Sequence, residues 1–353
     1  MHRHLPPLAA VIAGAMATAF SAPVAAQKTN FGAVVEVNRL LTEVRVVDRD
    51  DLPVPDLRPD EFEVSIDGDP VEVESVTWVP ASAEVAVSAK TQAAGDDQEA
   101  WVSRAAPEGR LIILVFQTDM ALRHSRTAGL IKTAPLAADF VDNLGPDDKV
   151  AVFVFGTHLE LRSDFTADHQ AIAEAVQVQE ILGGEQAQSD TGTPSLIESF
   201  DFAAARDAAD MSSAFEVIAR SLENIPGAKS LVFFGFGLGR MSAGQRITVG
   251  DGYDRTIQAL ANARCSVFSV DLTEADYHSL EHGQRKISDD TGGLYIKTFH
   301  FPEIAMQRLV RVISSYYELS IVPPPELAES FKIKVKVTRP GTTVYVRQNH
   351  PSK

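Results

Sequence analysis

The feature that most constrains this chain is a set of short, unbroken apolar runs that begins at residue 111. They read "LIILVF" (111–116), "VAVFVF" (150–155), "SLVFFG" (230–235) and "CSVFSVD" (265–271). A half-exposed strand alternates apolar and polar side chains, so runs this continuous belong to strands covered on both faces. Helical patterns separate them: "TAGLIKTAPLAADFVDNL" despite Pro135, "TADHQAIAEAVQ", "YDRTIQALANAR" and "FPEIAMQRLVRVISS". The long stretch "PSLIESFDFAAARDAADMSSAFEVIARSLENI" is expected to be a single helix, and "EHGQRKISDDTGGLYIK" a helix closed at Gly292-Gly293 that leads into a further strand. Strands alternating with helices specify an α/β domain of Rossmann type, with a mainly parallel sheet and helices on both faces. That domain is placed at 110–315.

The flanks carry a different pattern. Residues 31–80 form a β segment, with a valine-rich run, turn chemistry in "DRDDLPVPDL", and two alternating runs around Asp67-Gly68. The acidic cluster Asp48, Asp50 and Asp51 lacks the glycine and ligand spacing of a calcium loop and is read as a hairpin turn. Residues 81–109 have no sustained period and are read as a linker or long loop in which Trp101 is the one bulky residue. A second β segment spans 316–348. Its run "FKIKVKVTR" alternates Lys332, Lys334 and Lys336 with apolar residues, a strand with one solvated basic face whose lysines discourage edge pairing. Each β segment is too short to fill a core alone. The two are therefore expected to pair into one small β-sandwich with the α/β domain inserted between them.

The first 26 residues are expected to be a signal peptide: Arg3 precedes an apolar run from about Leu8 to Phe20, and Val24-Ala25-Ala26 suits cleavage before Gln27. That run is shorter than the ~20 residues of a membrane span. The mature chain is expected to be exported, periplasmic or secreted, with no membrane span. A formal charge of −16 argues against a nucleic-acid partner, which calls for clustered Lys and Arg. The single cysteine, Cys265, excludes an internal disulfide and a multi-cysteine zinc site, and reads as a buried thiol.

The order of strand, polar loop and helix at 110–126, then "LGPDDKVAVFVFG", "TGTPSL", "KSLVFFGFG", "CSVFSVD" and "DDTGGLYI", resembles a von Willebrand factor A domain. With its flanks "VDRDDLPVPDLRPDEFEVSIDG" and "FKIKVKVTRPGTTVYVR", the chain over about 33–347 is similar to the bacterial VWFA-related proteins common in Acidobacteria. The resemblance implies a fold and a style of binding, not a reaction. The usual A domain of this family holds Mg²⁺ through an Asp-x-Ser-x-Ser loop, a threonine on a second loop and an aspartate after the central strand. Here Gln117 stands at the first aspartate, Asp119 and Ala121 at the serines, and Thr193 (or Thr191) at the threonine; Gly235 and Phe236 offer no side-chain oxygen. Gln117, Asp119 and Thr193 are the residual metal candidates. One carboxylate and two neutral oxygens hold Mg²⁺ poorly, so the adhesion site is read as degenerate and the expected cofactor as none, with a weak Mg²⁺ site as the alternative.

Enzyme motifs are weak. "GFGLGR" (235–240) has Arg240 where a dinucleotide loop needs its last glycine, and no phosphate-binding loop occurs. His278 and His282, four apart, are read as a solvated pair on a polar helix, with a metal pair as the sharper alternative. His124 and Ser125 near Asp119 have triad chemistry but not triad spacing. The chain is thus expected to be a non-enzymatic binding or scaffold protein with no catalytic residues. Its protein partner would meet Asp119, Met120, Arg123, Thr193, Phe236 and Arg240, with Leu238 adding apolar contact. A metal-dependent adhesion module and an envelope enzyme built on the A domain are the alternatives.

Overall fold

The computed structural model describes residues 39–80, 109–118, 124–183, 194–241, 247–250 and 252–351. The expected signal peptide and most of the expected linker, Trp101 included, lie outside these residues.

Four strands open the chain: β1 (Leu40–Val47), β2 (Phe62–Ile66), β3 (Asp69–Val71) and β4 (Val73–Pro80). The α/β part follows as β5 (Leu111–Gln117), α1 (His124–Asp142), β6 (Lys149–Phe155), β7 (Leu159–Thr166), α2 (His169–Ala175), α3 (Val178–Gly183), α4 (Phe202–Asp207) and α5 (Met211–Leu222). It continues through β8 (Lys229–Gly235), β9 (Arg240–Met241), β10 (Ile247–Thr248), α6 (Tyr253–Asn262), β11 (Cys265–Asp271), α7 (Glu281–Thr291), β12 (Tyr295–Lys297) and α8 (Pro302–Ile313). The last strands are β13 (Ser315–Ile321), β14 (Ser330–Val337), β15 (Thr343–Val346) and β16 (Asn349–Pro351).

The central sheet has six strands in the order β12-β11-β8-β5-β6-β7. All pairings are parallel except β6 with β7, a hairpin that sets an antiparallel strand at the edge. Strand β7 has a half-buried alternation, with Leu159 and Leu161 inward and Glu160 and Arg162 outward, unlike the continuous runs that mark the interior strands. Alternate residues of the interior strands feed two cores. Ile113, Val115, Leu231 and Phe233 pack beneath α5 and α6, while Ile112, Leu114, Val232 and Phe234 pack beneath α1 and α8. Each such side chain contributes roughly 1.5–3 kcal/mol by leaving water. The α/β class expected from the sequence is the class found.

The stretch 194–225 is not one helix. Asp201 caps α4 by accepting hydrogen bonds from Ala203 N and Ala204 N, and Asp210 caps α5 through Ser213 N, so each aspartate starts a helix of its own. The 281–297 stretch behaves as its glycines require. Gly292 ends α7 with φ 74°, and a Cβ there would lie 2.5 Å from Arg347 N.

The terminal strands pair with one another. β13 lies between β1 and β4 in one antiparallel sheet of order β15-β1-β13-β4, and β14 lies between β16 and β2 in a second, β16-β14-β2-β3. One core joins them, with Val44, Trp78, Tyr317 and Leu319 from the first sheet against Phe62, Val64, Ile333 and Val335 from the second. Asp67 (φ 51°) and Gly68 (φ 102°) form the two-residue turn of the β2–β3 hairpin, the left-handed pair that this sequence favours. Lys332, Lys334 and Lys336 are exposed as the alternation demands, but β14 is an interior strand, so its lysines solvate a face and do not guard an edge. In the acidic turn, Asp48 Oδ1 accepts from Asp50 N (2.8 Å) and Leu52 N (2.9 Å), and Arg308 pairs with Asp51 (2.9 Å).

This sandwich seats on the foot of the parallel sheet, where the strands begin. Arg45 of β1 donates to Ser230 Oγ (3.2 Å) and Ser266 Oγ (3.3 Å), and Arg347 Nη2 donates to Cys265 O (2.8 Å). Lys229 donates to Ala263 O at 2.9 Å and to Ile225 O, carbonyls just beyond α6 and α5. Helices that return between parallel strands end at the foot, so their partial negative ends meet these buried cations there. Among the described residues, no helix is long and apolar enough to cross a membrane.

Candidate functional site

In the order β12-β11-β8-β5-β6-β7, the chain winds outward in opposite directions from the gap between β5 and β8. Open α/β sheets bind their ligands beyond the carboxyl ends of the strands at that switch point. Gln117 ends β5 there, and Gly235 and Phe236 end β8. The Gln117 side-chain carbonyl accepts the Phe236 backbone N–H at 2.8 Å, a buried bond that ties the two strand ends together. An oxygen engaged in this way faces a neighbouring amide and not an ion. The ring of Phe236, 2 % exposed, packs in the core beneath α1 and α8, and Leu238 is equally buried in the opposite core. Both were expected to offer apolar contact to a partner, and both pack internally. Continuous apolar runs at strand ends give no sign of where burial stops.

The described residues of the adjoining loops are tied down as well. Gly235 O accepts from Leu272 N (2.9 Å) and from Gln284 Nε2 (3.1 Å). Thr118 N donates to Phe155 O (2.7 Å). On the second loop, the buried Asp164 accepts Ser195 Oγ (2.5 Å) and Leu196 N (2.7 Å). Asp119, Met120, Arg123 and Thr193 lie outside the described residues, and Arg240 opens the two-residue strand β9. At the switch point, then, the described residues bring together one amide oxygen already bonded and two residues without side-chain oxygens. Among the described residues alone this is no ligand set for Mg²⁺.

A denser set of polar groups lies one strand over, at the carboxyl end of β11. Asp271, 2 % exposed, accepts His278 Nε2 (2.7 Å) and Tyr295 OH (2.6 Å) on Oδ2, and Thr273 N (3.0 Å) on Oδ1. Burial by itself would push this carboxyl up; the His278 and Tyr295 hydrogen bonds outweigh it and hold Asp271 below the ordinary carboxylate value. Burial and the neighbouring carboxylate drive the Tyr295 hydroxyl far above its usual range, so it stays a donor. Glu281, in the first turn of α7, lies beside them and pairs with Lys297 (2.5 Å). His278 precedes the helix and is not on it, so the solvated His278/His282 pair expected from the sequence is not formed; only the exposed His282 belongs to α7. The spacing of four suggested a shared helix face, and nothing local reveals that residues 272–280 fold back over the end of β11.

Beyond this cluster the rim is apolar and open. Tyr277 is 74 % exposed, Phe301 66 % and Ile304 63 %. Tyr277 comes from the loop that leaves β11, and Phe301 and Ile304 from the start of α8, just after β12. A cavity of about 180 Å³ between the two loops is lined by Asp276, Lys297, Phe299, His300 and Phe301. His300 Nε2 bonds Asp276 Oδ1 at 2.6 Å across it.

No family model matches the chain, and no curated protein matches it. Solved structures do. An aerotolerance-related membrane protein from Bacteroides fragilis is 13 % identical, over 58 % of this chain and 98 % of that one, with a TM-score of 0.40. A von Willebrand factor type A protein from Catenulispora acidiphila is 10 % identical, over 88 % and 73 %, with a TM-score of 0.39. The ArnB paralog VWA2 from Sulfolobus acidocaldarius is 10 % identical, over 68 % and 66 %, with a TM-score of 0.37. At these values the assignment rests on the strand order itself: a von Willebrand A-like, Rossmann-type α/β domain carrying a β-sandwich made from both ends of the chain.

Proposed function

We propose that this chain is an exported, non-enzymatic binding module that meets a protein partner through the carboxyl-end rim of its A-like domain, without a metal ion at the switch point. The observation that carries the reading is the exposure of three large apolar side chains on the segments that follow β11 and β12: Tyr277, Phe301 and Ile304. Exposed apolar groups gathered beside charged ones mark interaction surfaces. Asp276, Lys297 and His300 supply that polar surround. The rim contact thus falls on the loops that follow β11 and β12, to one side of the loops at 117–125 and 235–240. The Gln117–Phe236 bond supports the metal-free reading, because it engages the side chain that stands where the resembling family has its first aspartate.

The test is photo-crosslinking in the cells that make the protein, with a benzophenone amino acid at position 277 or 301 and a control on the sandwich at Lys334. The reading expects one discrete protein adduct from 277 and 301 and none from 334. Adducts of equal yield from all three positions, or from none, would remove the rim as the contact surface.

A further inference from the structure

We infer that Asp271, His278 and Glu281 form a binding site for a divalent transition-metal ion, with Zn²⁺ the best-matched occupant. The three side chains each present one ligand atom, and these atoms all lie within 4.8 Å of one another. They arrive from different pieces of backbone: the end of β11, the loop after it and the first turn of α7. An imidazole with two carboxylates is the ligand chemistry of zinc and manganese, and it suits Mg²⁺ and Ca²⁺ less well, since those prefer oxygen alone. Three protein ligands leave a fourth position for water or for a side chain from a partner.

The electrostatics point the same way. Asp271 is ionised and buried, yet its hydrogen bonds come from His278, Tyr295 and Thr273, and among the described residues no lysine or arginine pairs with it. A buried charge calls for a compensating one. A divalent ion entering between His278 Nε2 and Asp271 Oδ2 would replace the hydrogen bond between them, with the imidazole N–H then at Nδ1. Tyr295 OH and Thr273 N would remain on the carboxylate and fix its orientation, the role that outer hydrogen bonds play at metal sites. Lys297 is the internal competitor. Its ammonium pairs with Glu281 and also donates to Asp276 O, and it must withdraw from Glu281 when the ion binds. The partly exposed Lys297 side chain has room to do so.

The site does not depend on the partner reading, because it is measured on the full chain alone. Zn²⁺, Mn²⁺ and Mg²⁺ are titrated calorimetrically into chelator-treated protein, and Co²⁺ binding is followed by visible absorption. The expected result is saturable one-to-one Zn²⁺ binding. It should weaken at least ~10-fold in His278→Ala and Glu281→Gln and tighten in Lys297→Met, with thermal melts of the metal-free variants confirming that each is folded. No saturable Zn²⁺ binding, or binding unchanged in both His278→Ala and Glu281→Gln, would overturn the inference.

Discussion

Gln117 shows how one side chain can tie two strand ends together. Its neutral amide oxygen, at the strand end where the sequence resemblance would put an aspartate, accepts from Phe236 N. The position of Gln117 was readable, because a strand end followed by a polar loop is visible in sequence. Its partner, 119 residues away, was not, and neither was the burial of Phe236. His350 makes a prediction at the same scale. It is buried, stacks on Phe331 with ring centroids 5.6 Å apart, and is pushed down to about 3 by burial first and then by Arg347. The folded chain therefore keeps His350 neutral, whereas an unfolded chain protonates it below pH ~6.5. The sign follows: as pH falls from there toward 3, the unfolded state gains the proton and the folded state loses roughly 1.4 kcal/mol per pH unit from this residue. Urea denaturation over that range should show a shallower acid slope in His350→Phe than in the unaltered protein. Identical slopes would mean that His350 can ionise in place.

At the scale of elements, the sequence was most legible where a pattern has one structural solution. Continuous apolar runs gave the parallel strands, and the alternation of "FKIKVKV" gave β14 with Phe331, Ile333 and Val335 inward. It was least legible where polar side chains act through space. Asp201 and Asp210 split an apparent long helix, because an aspartate inside a helical pattern can equally be a surface residue or a cap. The shortage of core at each end did foretell the pairing of the ends, though not that β13 would lie between β1 and β4. That placement is testable. A chain ending at Ser314, carrying Trp101→Phe so that Trp78 is its only tryptophan, leaves β1 and β4 without the strand between them. Trp78, buried in the shared core, should then emit as a solvent-exposed tryptophan. Retention of a blue-shifted emission would show that 39–80 folds without its C-terminal partners.

Over the whole molecule the two ends of the parallel sheet have different work. The foot collects buried cations, Arg45 lowered to about 10 and Lys229 to about 8 mainly by burial, and binds the sandwich to the α/β core. The rim stays accessible: locked at the switch point by Gln117, polar over β11, and apolar at Tyr277 and Phe301. That division sets the proposed binding face of the A-like domain away from its anchor. Central to the proposal is a switch point without an ion. The most direct measurement is calorimetric titration of Mg²⁺ into the chelator-treated protein, with Gln117→Ala and Asp119→Ala in parallel. The account predicts no saturable Mg²⁺ binding in any of the three proteins. Saturable binding to the unaltered chain that disappears in Asp119→Ala would contradict it and restore a working adhesion site.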